Sequence, residues 1–275
     1  MHQARVATRR IRELLPLMSL RRDAETADAL VKEFRSVGRS LGAVRDADVQ
    51  AALLRSLEAH IPSAVPTLVL LRQHLERRRL DLMREIIKEL ERIEIDRLLQ
   101  SVQHGLIGAR RRLFGGWDDL VRRIIADRAA GAREAIVHAT GVYFPKRAHR
   151  ARIAIKKFRY ATEIAAATGV WNAWGIIREL KKGQELLGRL HDRQELLDAL
   201  PDTDDAPAQI QLLTQVLDAE ASDLHGRYLG RRQRLLDAAS AAQRAVDPVR
   251  RVLWPAATGA VAASSTLLLL RRLSA

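Results

Sequence analysis

Apolar residues recur at helical spacing almost from the first residue. Ala7, Ile11, Leu14 and Met18 fall along one side of a helix that turns about 100° per residue. His2, Arg5, Arg9 and Arg12 gather within a wedge of roughly 80° on the other side. The pattern predicts a helix from His2 to about Leu20, bent by Pro16. Asp23 is placed to cap a second helix running to about Glu58. Ile61 to Pro66 reads as a turn and a new helix start. From there one long helical pattern continues to about Phe114. Its mixed-sign charges, among them Glu76, Arg79, Arg84, Lys88 and Glu91, suit a solvated face with i,i+4 pairs.

Gly115-Gly116 is the strongest internal break, and the pattern resumes after it. A helix is expected from Trp117 to Ala139, ended by Gly141 and Pro145. Another runs from about Lys146 to Ala167, stopped by Gly169. A third runs from about Trp171 to Leu200, and a polar loop follows from Pro201 to Pro207. The last long helix covers about Gln209 to Val246, and Pro248 sets off an apolar tail.

The helix after Pro145 repeats the first one. His149, Arg152, Lys156 and Arg159 restate the wedge of His2, Arg5, Arg9 and Arg12, with the basic pair Lys156-Lys157 standing where Arg9-Arg10 stands. Ala154, Phe158 and Ala161 form the apolar ridge behind it. The following helices correspond as well: Leu187-Gly188 matches Leu41-Gly42, Asp192 matches Asp46, Glu179 matches Glu33, and Lys181 matches Arg35. A long period seen twice indicates a duplicated domain rather than a solenoid. The expected division is residues 1–114, residues 117–246 and a tail at 248–275. The first half shows three helices and lacks the helix that precedes the stripe in the second. One expectation is that the tail or another chain fills the resulting groove.

Glycine and proline are sparse and sit mostly between periodic segments, so an all-α fold follows. Lys and Arg outnumber Asp and Glu by 47 to 33, a net charge of +14. Such a chain attracts polyanions: nucleic acid, an anionic membrane or a phosphate polymer. A charged stripe on one helix is usually mere solvated surface. Two stripes that keep residue identity while the rest diverges are not explained that way. If the halves pack with pseudo-twofold symmetry, the two faces converge on one cationic groove. Arg forks and Lys point charges suit phosphate oxygens, and His gains a proton beside a polyphosphate.

Other chemistry finds little footing. There is no cysteine, which fits a reducing cytoplasm. No signal-peptide pattern opens the chain. His191-Asp192 could suggest a metal-dependent hydrolase, but the first copy reads Arg45-Asp46, and Arg does not ligate metal. A structural role for the Asp is expected, with no metal and no cofactor. Gly42 and Gly188 are expected to mark close helix packing. Val252 to Leu270 is uncharged and just long enough to span a bilayer, though weakly hydrophobic for that task.

The order His-x-x-Arg-Val-x-x-Arg-Arg-x-Arg, then Leu-Gly-x-x-Arg-Asp, followed by a second copy, resembles the CHAD family, the conserved-histidine α-helical domain. The resemblance covers about residues 1 to 245. It implies two pseudo-symmetric helical-bundle halves and a basic groove that binds inorganic polyphosphate without catalysis, in the cytoplasm and on polyphosphate granules. Carried over, the ligands would be His2, Arg5, Arg9, Arg10, Arg12 and Arg35 in the first half. In the second they would be His149, Arg152, Lys156, Lys157, Arg159 and Lys181. Arg39, Arg45, Lys182 and His191, beside the same motifs, complete the set. Two departures stand out: the missing first helix, and Arg35 where Lys is commoner. The rival readings are a nucleic-acid-binding protein, short of aromatics for base stacking, a phosphohydrolase, and a membrane adaptor using the tail.

Overall fold

The computed structural model describes residues 7–8, 11, 15, 24–112, 116–200 and 207–246, and among these it is helical with no strand. Seven α-helices follow one another: α1 (Ala24–Glu58), α2 (Val65–Glu91), α3 (Ile95–Arg112), α4 (Trp117–His138), α5 (Pro145–Ala167), α6 (Trp174–Ala199) and α7 (Ala208–Val246). A 3₁₀ turn, Pro62–Ala64, joins α1 to α2. The chain divides into two units, Met1–Arg112 with Asp192–Glu220, and Leu113–His191 with Ala221–Ala275. The final turns of α6 and the first third of α7 therefore belong with the first unit.

In the first unit α1 and α2 form a long helical pair. Leu54, Leu57, Ile61, Leu68 and Leu75 bury one end of it together with Leu196, Leu213 and Leu217. Further along, Val37, Leu41 and Val44 pack on Ile86. Ile11 and Leu15 are buried with Leu30, Phe34, Leu98 and Val102. Part of the charge-rich run proves structural rather than merely solvated. Arg79 on α2 donates to Asp48 on α1, and Arg72 donates to Glu58 at 3.0 Å.

The single helix expected from Pro66 to about Phe114 is two helices. After Glu91 the Arg92 and Ile93 amides bond three residues back, to the Glu89 and Leu90 carbonyls, at 3.2 Å each. That tightening ends α2. It turns Ile93 inward, where it packs with both neighbouring apolar clusters. A new helix then starts with the Leu98 amide on the Glu94 carbonyl at 2.9 Å. Burial of one apolar side chain wins over helical continuity.

In the second unit Val121, Ile125, Ala129, Ala132 and Ile136 of α4 recur every three or four residues and are buried. They meet Ala148, Ala151, Ile155, Phe158 and Ala161 of α5, while Leu224, Tyr228 and Leu235 of α7 complete the core. α5 opens on Pro145, where a missing amide proton costs nothing. It closes with Thr168 Oγ1 on the Ile164 carbonyl at 2.9 Å, followed by Gly169 at φ 75°. α6 begins three residues later than expected, at Trp174 rather than Trp171. No helix among the described residues is long and apolar enough to cross a membrane. The expected loop at 201–206 and the apolar tail lie outside the described residues.

Candidate functional site

The second stripe forms on α5 with its ridge inside: Phe158 is fully buried and Ala161 is 2% exposed. The cationic wedge is graded along the helix. His149 is exposed, Arg152 and Lys156 are half-buried, and the Arg159 side chain is only 11% exposed.

That wedge faces α6 in an antiparallel register. The His149 and His191 rings lie 4.7 Å apart at a 57° tilt. One turn on, Arg152 Nε stands 4.0 Å from where a Cβ on Gly188 would be. Further down, Arg159 Nε donates to Gln184 Oε1 at 2.8 Å. The register puts Lys156 between the last two. Gly188 and His191 belong to the Leu187-Gly188 motif. Two motifs separated by some forty positions in the sequence thus meet in space.

Arg159 is engaged. Its Nη1 donates to Glu163 and its guanidinium lies 4.4 Å over the Tyr160 ring. Lys157 leaves the wedge and lines a groove toward α4. Lys181 is exposed and makes no ion pair or hydrogen bond among the described residues. Lys182 pairs with Glu179 at 3.3 Å, and Arg231 meets the same carboxylate at 2.7 Å. Burial pushes that carboxyl up, but Lys182 and Arg231 outweigh it and hold it below the ordinary range.

In the first unit Arg35, Arg39 and Arg45 are exposed along α1, and Arg35 and Arg45 make no ion pair or hydrogen bond among the described residues. Beside Arg39, Ser40 and Ser36 of α1 both donate to Glu89 of α2, Ser36 at 2.7 Å. Those hydroxyls, with the Arg39 charge, hold the Glu89 carboxyl below its usual range. His2, Arg5, Arg9, Arg10 and Arg12 lie outside the described residues.

The expectation of close packing at Gly42 and Gly188 needs correcting. A Cβ on Gly188 would approach only Arg152 Nε, and one on Gly42 only Asp46 Oδ2, each at 4.0 Å. At Gly188 the Arg152 guanidinium lies alongside α6 at an ordinary contact distance. The crowded glycine is Gly183, whose Cβ would stand 2.7 and 2.8 Å from the Leu235 methyls. Gln184 is a contact that sequence reasoning missed, although 184, 188 and 191 fall on one helix face at i, i+4, i+7 spacing. Among the described residues no three His, Cys, Asp or Glu side chains gather as a metal site. His191 packs on His149 instead.

Comparison with known proteins identifies the family of the chain. The model of the CHAD domain matches residues 1–201. No curated protein and no solved structure matches the chain. With well over half of its residues matched, the chain belongs to the CHAD family.

Proposed function

We propose that this chain binds inorganic polyphosphate, without converting it, on the cationic face of α5 where it meets α6. The observation that carries the reading is the meeting of His149 with His191 and of Arg152 with Gly188, with Lys156 one turn further along α5. CHAD domains are helical binding domains, generally non-catalytic and associated with polyphosphate binding. In this reading Arg152 and Lys156 supply the charge-assisted hydrogen bonds. His149 and His191 add ring N–H donors beside them. Arg159, engaged with Glu163 and Gln184, holds the inner end of the face. Lys181, exposed on α6 of the same unit, extends the attraction for a long anion.

The same reading treats residues 1–114 and 117–246 as duplicated halves, with His2, Arg5, Arg9, Arg10 and Arg12 as a second ligand set. Gly42 with Asp46 on α1, matched by Gly188 with Asp192 on α6, supports it. Attachment to polyphosphate granules in the cytoplasm would follow from affinity for the polymer.

Nucleic acid is the less favoured ligand because none of the described Phe, Tyr or Trp rings is presented on this face for a base to stack on. Tyr160 is buried and carries Arg159 on its face. Phe144 and Trp174, exposed aromatics, are not on the wedge.

The test is titration of long-chain polyphosphate against duplex DNA at equal phosphate concentration. Wild type is compared with Arg152→Ala/Lys156→Ala, and with a variant that adds Arg5→Ala and Arg9→Ala. Polyphosphate should bind more tightly, with affinity rising with chain length. Losing two phosphate contacts should lower the slope of log affinity against log salt by roughly two. Equal binding of both polymers, unchanged by the substitutions, would sink the reading. Release of orthophosphate on adding a divalent metal would count against the non-catalytic part.

A further inference from the structure

On the other side of α5, away from α6, two cavities lie side by side along α4. One, of about 550 Å³, opens where the last turns of α4 meet the first turns of α5, and its walls include Glu134, His138, Arg147 and Arg150. The other, about 370 Å³, is floored by Ala135, Ile153 and Ala154, with Asp127, Arg128 and Lys157 at its rim. Gly131, Ala135 and Arg150 belong to both, so the two form one groove within the second unit.

The two ends differ in chemistry. The first gathers two guanidinium groups and an imidazole opposite a single carboxylate. Arg150 makes no ion pair or hydrogen bond among the described residues, and neither does Lys157. Arg147 is steadied by the Phe144 ring, 4.4 Å from its guanidinium carbon, which leaves its N–H edge for a ligand. The second end is floored by short aliphatic side chains, a surface on which a flat ring can lie. Gly131, at the junction, has no packing reason to be glycine: a Cβ there would meet nothing within 4 Å. Glycine in a helix interior is otherwise a cost. Here it keeps the passage between the two ends open.

We propose that this groove binds a nucleoside di- or triphosphate. The phosphates lie between Arg147 and Arg150 with His138 beside them, the base rests on the aliphatic floor, and Glu134 accepts from a sugar hydroxyl. A bare phosphate chain would leave the aliphatic floor uncovered, and an uncharged nucleoside would leave the cations unanswered. The proposal does not depend on polyphosphate binding at the α5–α6 face, with which the groove shares only His149, at its rim.

The test measures binding of ATP, ADP, adenosine and tripolyphosphate to the full chain by calorimetry. Wild type is compared with Gly131→Leu, which fills the passage without a clash at Cβ, and with Arg147→Ala/Arg150→Ala. ATP and ADP should bind at least about tenfold more tightly than adenosine or tripolyphosphate, since each of those engages one end only. Each variant should weaken ATP by about tenfold or more. Gly131→Leu should leave long-chain polyphosphate binding intact. Two outcomes overturn the proposal: tripolyphosphate binding as well as ATP, or Gly131→Leu staying folded by circular dichroism with ATP affinity unchanged. Polyphosphate failing to bind wild type while ATP passes would remove the earlier reading and leave this one standing.

Discussion

Gly183→Ala is the substitution whose sign the structure decides against helix propensity. Gly183 is buried on α6, and its added Cβ would stand 2.7 and 2.8 Å from the Leu235 methyls and 3.3 Å from Leu235 Cγ. Carbon atoms settle at about 3.5–4.0 Å, so Leu235 must retreat by about 1 Å or change rotamer. It has nowhere easy to go, being fully buried in the second unit's core. Overpacking of this kind costs about 1–3 kcal/mol. Replacing a helical glycine by alanine returns about 1 kcal/mol. The net expectation is destabilisation by about 1 kcal/mol, a fall in Tm of about 2–4 °C for a chain of this size. Gly226 and Gly230 on α7 are controls, since a Cβ at either meets nothing within 4 Å. Alanine there should stabilise by up to about 1 kcal/mol. The assay is urea unfolding followed by circular dichroism, with Leu235→Ala made both in wild type and in the Gly183→Ala variant. Leu235→Ala alone should cost about 2–5 kcal/mol. Added to Gly183→Ala it should cost about 1 kcal/mol less, because the lost methyls are the ones that clash. If Gly183→Ala stabilises like the controls, and Leu235→Ala costs the same in both backgrounds, the packing argument fails.

Two pH effects follow from packing, one in each unit. Ser36→Ala/Ser40→Ala removes the hydroxyls that hold the Glu89 carboxyl low. A depressed carboxyl contributes stability above its unfolded pKa and loses it as pH falls through the folded one. The variant should therefore be weaker by about 1 kcal/mol at neutral pH, with the gap closing under acid in pH-stepped urea melts. His225, 8% exposed with the Tyr143 ring at 5.1 Å and the Tyr228 ring at 6.2 Å, has its pKa lowered by burial. Above the unfolded value of 6.5 neither state is charged and nothing changes. Below it the unfolded chain takes the proton first, so stability falls with pH. His225→Phe should flatten the decline between about pH 6.5 and 5 in thermal melts, and an unchanged slope would refute the assignment.

Helix periods were legible where apolar and cationic positions alternate strictly. The α5 wedge and its ridge, and the stop at Gly169, could be read from residues 149 to 169 alone. The end of α2 could not. Nothing in Glu91-Arg92-Ile93-Glu94 breaks a helix locally, and the turn exists because Ile93 finds burial against distant side chains. The glycines failed for the same reason. Gly183 and Gly188 look alike in sequence, and only the path of α7 past Leu235 decides which of them is crowded. Gly131 is a third kind, recognisable only once the groove it lines is seen.

The cations show why net charge alone locates no site. Arg79, Arg159, Arg193 and Arg231 each meet a carboxylate on a packed, partly covered face. Removing one of them takes a cationic partner from a partly covered carboxylate, so the loss appears mainly as stability. Arg35, Arg45, Arg150, Lys157 and Lys181 have no such partner among the described residues. Their charge adds repulsion to an already basic fold and is offset when an anion arrives. Substituting them should cost ligand affinity and its salt dependence while leaving the fold intact. In sequence, Arg152 and Arg159 are equivalent members of one stripe. In the structure Glu163 and Gln184 hold Arg159, while Arg152 lies beside Gly188, half-open to solvent. Place along α5, rather than residue type, is what separates a guanidinium fastened to Gln184 and Glu163 from one that stays partly open to solvent beside α6.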